Sequence, residues 1–238
     1  MTTGLIDVHS HLLPGVDDGC KAVEESLACA RILVDNGYTH SFCTPHIWPT
    51  FDNTIASIPP AVEKLQSALD DAKIPLKLTP GGEINLRPEC ASTPPDQVVT
   101  YAMHGKFALI DMWHDRIPEF VGPTIRRFQS LGLTVILAHP ERMRAVQSDP
   151  AVVDFFTELG VLLQGNLQCF SDPPHADTRR VAERLLLDDR YFMLGSDLHS
   201  MEKVVSRMQG LKNARQLVGD AGIDRLMRAN PSKLFEMT

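Results

Sequence analysis

Leu5-Ile6-Asp7-Val8-His9-Ser10-His11 is a short apolar run that closes in His-x-His. Residues two apart on a strand point to one face, so this spacing presents the imidazoles of His9 and His11 side by side. Such a pair begins a metal site when further ligands arrive from elsewhere in the chain. Taken alone, it fits equally well one buried and one exposed histidine that happen to be neighbours. The rest of the chain separates the two readings.

Apolar strands alternate with amphipathic helices along the sequence. Strands are expected at Leu5–His9, Ser41–Thr44, Leu76–Thr79, Phe107–Met112, Thr134–Ala138, Val161–Gly165 and Phe192–Gly195. Helical patterns fall between them. The first spans Val23–Asn36, with Leu27, Ala30 and Val34 on one stripe and Gly37 as its stop. The second spans Ala61–Ala72, entered after Pro59-Pro60. Others cover Pro118–Leu131, Ala151–Leu159, Thr178–Leu187 and Lys203–Leu217, with a terminal helix over Ile223–Met227. Strands separated by helices imply parallel βαβ units. Seven of them fit a closed barrel better than an open sheet, and no Gly-x-Gly-x-x-Gly follows the first strand to favour a dinucleotide fold. Residues Gly82–Gly105, which hold Pro88, Pro94 and Pro95, read as a long excursion between the third and fourth strands.

A length of 238 residues suits a single domain over 1–238. The net charge is −7 and no block of Lys and Arg occurs, which argues against a nucleic-acid partner. No apolar run reaches membrane-spanning length, and no basic segment precedes an apolar stretch at the N-terminus. The expectation is a cytoplasmic protein without membrane insertion. The five cysteines (Cys20, Cys29, Cys43, Cys90, Cys169) are widely spaced and form no Cys-x-x-Cys, as reduced thiols would be. Cys43 reads as core and Cys169 as part of a loop. None begins a Cys-x5-Arg phosphate loop, since His175 stands where Cys169 would need its arginine.

The residues that follow the strands carry the chemistry. The first strand gives His9 and His11 and then Asp17-Asp18-Gly19, the second Thr44-Pro45-His46, the third Gly81-Gly82-Glu83, and the fourth Ile110-Asp111. The fifth gives His139-Pro140-Glu141-Arg142, the sixth Gln164-Gly165-Asn166, and the seventh Ser196-Asp197-Leu198-His199. Carboxyl ends of parallel barrel strands share one rim, where such folds build their sites. Each histidine alone has an ordinary structural explanation. Five of the chain's nine histidines falling at these ends, alternating with carboxylates, point to a multi-metal site. Imidazole and carboxylate without thiolate suit Zn, Mn or Fe(II). Nine candidate ligands exceed what one ion uses, so two or three ions are implied, with a carboxylate such as Glu83 bridging. Clustered divalent ions bind phosphate oxygens and activate water.

This ordered set of motifs resembles the PHP (polymerase and histidinol phosphatase) superfamily. Asp17-Asp18-Gly19 followed by Glu24-Glu25-Ser26 resembles its branch of bacterial metal-dependent tyrosine phosphatases linked to capsule and exopolysaccharide synthesis. The resemblance implies a distorted seven-stranded (β/α)7, TIM-like barrel with a trinuclear metal centre. By motif, His9, His11, Glu83 and Asp197 would hold one ion. Glu83, Asp111 and His139 would hold a second, and Asp18, His46 and His199 a third. Asp18, rather than Asp17, matches the ligand. Arg142 matches an arginine that contacts the substrate phosphate, and a guanidinium suits bidentate phosphate binding. The implied reaction is direct attack on phosphorus by a metal-bridging hydroxide. The implied substrate is a phosphorylated protein, such as the tail of a tyrosine kinase, or a small phosphoester.

Two positions depart from the family. Asp111 replaces the usual Glu, and the run after His199 lacks the usual Arg-Pro-Pro, leaving Lys203 or Arg207 as the nearest cations. Alternatives within reach of the motifs are a small-metabolite phosphatase of the histidinol-phosphate kind, an amidohydrolase-like enzyme, and a catalytically silent metal-bound regulatory module. Trp48 and Trp113, each two residues after a candidate ligand, belong near the rim, either as walls of an aromatic slot or as packing. His114 and Asp115 lie in the same loop as Trp113.

Overall fold

Nine strands form within residues 4–236, which the computed structural model describes. They are β1 (Leu5–Ser10), β2 (Tyr38–Cys43), β3 (His46–Ile47), β4 (Lys77–Pro80), β5 (Glu83–Asn85), β6 (Phe107–Asp111), β7 (Thr134–Ala138), β8 (Leu162–Asn166) and β9 (Met193–Gly195). Every ladder is parallel. A three-stranded sheet runs β1-β2-β4 and a six-stranded sheet runs β3-β5-β6-β7-β8-β9. The two meet where Asp197 donates its N–H to the His9 carbonyl (2.7 Å) and His11 donates to the Leu198 carbonyl (2.8 Å).

The strand count differs from the seven expected because two of them break in the middle. The chain passes from β2 to β3 through Thr44-Pro45, and a proline cannot donate to a ladder. It passes from β4 to β5 through Gly81-Gly82, where little side chain is present to hold a pleat. Segments of two and three residues are too short to show periodicity. For the same reason the expected excursion from Gly82 begins with a strand, and β5 pairs with both β3 and β6.

The longer helices are α1 (Val23–Asp35), α2 (Ile58–Asp71), α3 (Val121–Ser130), α4 (Arg144–Ser148), α5 (Val152–Glu158), α6 (Asp177–Leu187) and α7 (Met201–Asp224). Helix α2 starts ahead of Pro59-Pro60 instead of after it, because N–H groups in a first turn have no intrahelical partner to lose. Helix α7 extends past the expected Leu217, with a break at Gly219, where φ is 70°. The expected terminal helix becomes its last turn and a π-turn over Arg225–Ala229. Among the described residues no helix is long and apolar enough to cross a membrane.

Alternate strand residues feed two separate cores, as a pleat requires. Phe107 and Leu109 of β6 join Ile6, Val8, Phe42, Ile136 and Met193 on one face. Ala108 and Ile110 join the helices on the other, against Leu33, Leu65, Ile125, Phe156, Leu185 and Met208. Burial on both faces leaves the strand ends as the place where polar side chains collect. One close approach fixes α7 relative to them. A Cβ built on Gly210 would stand 1.7 Å from the Leu167 carbonyl oxygen, so only glycine lets α7 lie against the turn after β8. Gly210→Ala is expected to lose about 1–3 kcal/mol of stability, the usual cost of forcing extra volume into a packed contact, readable by urea denaturation.

Candidate metal centre

His9 and His11 leave β1 with their Nε2 atoms 3.2 Å apart. Their other ring nitrogens are already committed. Gln164 donates its amide to the Gly165 carbonyl (2.6 Å), which turns its Oε1 toward His9 to accept from Nδ1–H (2.8 Å). Asp17 accepts from His11 Nδ1–H at 2.7 Å. With both Nδ1 atoms engaged as donors, the two Nε2 atoms face each other and are left to share a proton or to take a metal ion. Partners of this kind are what orient metal-binding imidazoles.

Glu83 stands at the middle of the cluster because β3–β5 pairing sets His46 beside it. Its Oε1 accepts from His139 Nε2 at 2.9 Å, and its Oε2 lies 3.4 Å from His9 Nε2 and 3.6 Å from His11 Nε2. His46 Nδ1 is 2.8 Å from the same Oε2 but out of hydrogen-bond alignment, leaving both buried atoms without a hydrogen-bond partner. Asp197 Oδ1 comes within 3.5 Å of His9 Nε2 and 3.4 Å of His11 Nε2. Asp18 Oδ1 faces His46 Nε2 at 3.3 Å and His199 Nε2 at 3.4 Å, while His199 Nδ1 is 2.9 Å from the Asp197 carbonyl. Two groups suited to a cation result: His11, Asp18, His46 and His199, and His9, His11 and Glu83. Convergent nitrogens and oxygens with orphaned buried atoms fit divalent metal.

Two of these donors sit on strained backbone. His139 (φ 35°) and Asp197 (φ 51°) occupy the left-handed region, which non-glycine residues adopt at a cost and which gathers at functional sites. His139 N–H is held by the Gln164 carbonyl at 2.7 Å, and Asp197 N–H by that of His9.

The electrostatics follow from burial opposed by close partners. Burial would raise Glu83, yet the His9 charge and the hydrogen bond from His139 hold it well below the usual carboxylate range. Burial would lower His11, yet Asp17 and Asp197 carry it well above an ordinary imidazole. His46 reaches about 9 against its burial, through Asp18 and Glu83. Asp111 is pushed up to about 7 by burial and the Glu83 charge.

Asp111 is the one proposed ligand placed apart. Its Oδ1 accepts from Asn85, its neighbour in the β5–β6 register, at 3.2 Å, and its Oδ2 accepts from Trp113 Nε1 at 2.6 Å. Asp17 turns back to His11 and also accepts the His46 N–H (3.1 Å), so it braces donors and does not join Asp18. Arg142 donates to Asp197 Oδ2 at 2.7 Å and opens onto a cleft of about 570 Å³ lined by Trp113, His114, Asp115, Met143 and Arg144. Trp48 packs on the His46 ring instead, with centroids 4.2 Å apart. Lys203 is exposed, whereas Arg207 is buried and donates to the Asp197 carbonyl at 3.1 Å. Cys169 lies buried in a 3-10 turn, its thiol pushed well above the usual range by burial.

Sequence reading does not reveal the supporting partners. Asn166 donates to Asp197 Oδ2 at 2.7 Å, and Glu141 accepts from Asn166 N–H (2.6 Å) and from the Tyr191 hydroxyl (2.8 Å). Gln164 and Asn166 stand at the end of an expected strand, but nothing in their spacing says which histidine or carboxylate they meet.

Parallel strands whose carboxyl ends gather imidazoles and carboxylates define a metal-dependent hydrolase of the α/β class. The chain belongs to the capsular polysaccharide synthesis CpsB/CapC family, which it matches over residues 5–236. The tyrosine-protein phosphatase YwqE of Bacillus subtilis is 28% identical over 203 residues, covering 83% of this chain and 78% of its own. The tyrosine-protein phosphatase CpsB of Streptococcus pneumoniae is 23% identical over 235 residues, covering 91% of this chain and 96% of its own. A crystal structure from work on these two, described as unique metal-dependent tyrosine phosphatases, superposes with a TM-score of 0.88 at 25% identity. It covers 98% of this chain and 96% of that one. An organophosphate hydrolase engineered from a lactonase shares the fold alone, at a TM-score of 0.55 and 15% identity.

Removing a brace should weaken metal without unfolding the chain. Asp17→Asn is expected to lower divalent-metal affinity about 10- to 100-fold, measured by competition with a chelating dye. The pH response of the metal-stripped protein follows from the raised His46. A group whose folded pKa lies above its unfolded value stabilises fully below the unfolded value, near 6.5, and stops doing so through about 9. Stability of the stripped protein is therefore expected to fall by on the order of a few kcal/mol between those limits. Added metal should flatten the slope, because ligating imidazoles are neutral. Urea midpoints across that pH range check both statements.

Proposed function

We propose that this protein is a metal-dependent protein-tyrosine phosphatase serving capsular or exopolysaccharide synthesis. The observation that carries the reading is the convergence of His9, His11, His46 and His139 on the buried Glu83, beside Arg142 at the wall of an open cleft. The tyrosine phosphatases among its relatives support a phosphorylated protein as substrate, the tail of a tyrosine kinase being one candidate. The five buried free thiols support a reducing compartment, the cytoplasm.

The two sheets are read as one ring of seven staves, a distorted (β/α)7 barrel forming a single domain. β2–β3 and β4–β5 count as interrupted staves, and the Ser10–Leu198 bridge is the seam. Two or three divalent ions, from among Mn, Fe and Zn, are assigned to the rim. His9, His11, Glu83 and Asp197 take one; Glu83, Asp111 and His139 a second; Asp18, His46 and His199 the third. When bound, these ions supply positive charge to the phosphoryl oxygens and activate water. Arg142 binds the phosphoryl group through its forked N–H donors. Asp17 and Gln164 hold His11 and His9 as Nδ1–H tautomers, so that both present Nε2 to the centre. Left-handed backbone at His139 and Asp197 fixes two donors before substrate arrives.

Manganese-loaded protein is expected to hydrolyse a phosphotyrosyl peptide, to lose that activity to a chelator and to regain it with metal. Arg142→Ala is expected to lower kcat/KM about 100-fold, in line with removal of one charge-stabilising donor. Metal-loaded protein that hydrolyses no phosphomonoester would refute the enzyme reading. Preference for histidinol phosphate over phosphotyrosyl peptide would overturn the substrate.

A further inference from the structure

Trp113 is 46% exposed, yet it is held on two sides. Its indole N–H reaches Asp111 Oδ2 at 2.6 Å, and the Arg142 guanidinium carbon lies 4.6 Å from its ring centre. Its ring also stands 5.5 Å from that of His139. Arg142 thus lies over the Trp113 ring and donates from Nη1 to Asp197 at 2.7 Å. A guanidinium placed over a ring in this way keeps its remaining N–H groups free for an anion. Asp111, on the shorter arm of aspartate, has its second oxygen fixed by Asn85. Trp48 makes neither contact: it packs on His46, and its Nε1 is buried without a partner.

We infer that Trp113 is a positioning residue that aligns Arg142 for the phosphoryl group and Asp111 for metal through two separable contacts of one side chain. The inference rests on the reading of Arg142 as the phosphate contact and of Asp111 as a ligand. The aromatic face serves the arginine, and the N–H serves the carboxylate.

Two substitutions separate the contacts. Trp113→Phe keeps an aromatic face and removes the N–H; Trp113→Leu removes both. Metal retention is read by elemental analysis after dialysis against graded chelator, which needs no activity. Inhibition by inorganic phosphate is read with the metal-saturated enzyme. Trp113→Phe is expected to lose its weakest-held metal at about tenfold lower chelator while phosphate inhibition stays within about twofold of wild type. Trp113→Leu is expected to show the same metal loss and about two- to fivefold weaker phosphate inhibition, the worth of an exposed cation–π contact. An unchanged metal profile in Trp113→Phe would overturn the carboxylate contact. Unchanged phosphate inhibition in Trp113→Leu would overturn the arginine contact, and either result ends the dual role. Arg142→Ala is the control for the underlying reading. If it leaves phosphate inhibition unchanged, the assignment of Arg142 fails and the arginine contact fails with it, while the metal arm still decides the rest. Thermal melts matching wild type establish that each variant folds, as expected for a half-exposed indole.

Discussion

Glu83 is a fully buried carboxylate facing His9, His11, His46 and His139, and the rest of the site depends on that arrangement. An isolated buried charge is costly, and two buried ring nitrogens facing each other repel when neither carries a proton. Bare Nε2 atoms on His9 and His11 and an unpaired oxygen on Glu83 are tolerable together only around positive charge. Protons supply part of it in the metal-free chain, which is why His11 and His46 are driven upward. Divalent ions supply it in the form that the donor set fits.

The scaffold spends its rigidity on holding those donors. Strands buried on both faces cannot shift register without moving an entire row of core side chains. That constraint fixes His46 beside Glu83 and Asn85 beside Asp111. A second layer then sets ring orientation: Gln164 behind His9, Asp17 behind His11, Asn166 beside Asp197. Buried Asp7 accepts from the Ser196 N–H (2.8 Å) and hydroxyl (2.5 Å), tying β1 to the turn that carries Asp197. Left-handed backbone at His139 and Asp197 is held by their own N–H bonds to the Gln164 and His9 carbonyls.

Much of this was legible in the chain because it depends on local pattern. All the expected strands and the main helices occur, since apolar periodicity records which face is buried. Candidate donors lie at strand ends because strand interiors are filled with apolar side chains. The breaks at Thr44-Pro45 and Gly81-Gly82 were less legible, as β3 and β5 exist only through pairing with their neighbours. Asp18 and Asp17 are adjacent and chemically identical, so only the turn geometry sends one to His46 and His199 and the other to His11. Asp111 reads as one donor among others. Its engagement by Asn85 and Trp113 depends on a cross-strand neighbour and a loop conformation that no spacing records.

Local pattern along the chain suffices for the parallel α/β class, the inventory of imidazoles and carboxylates, and their position at the carboxyl ends of strands. Hydrophobic period and residue chemistry are local properties, and His9-x-His11 is the simplest instance. Folding alone sets which donors meet, which nitrogen of each ring is free, and which side chains brace the others. Those facts rest on contacts between segments far apart in the chain, as between His9 and Gln164, and distance along a sequence carries no information about direction in space.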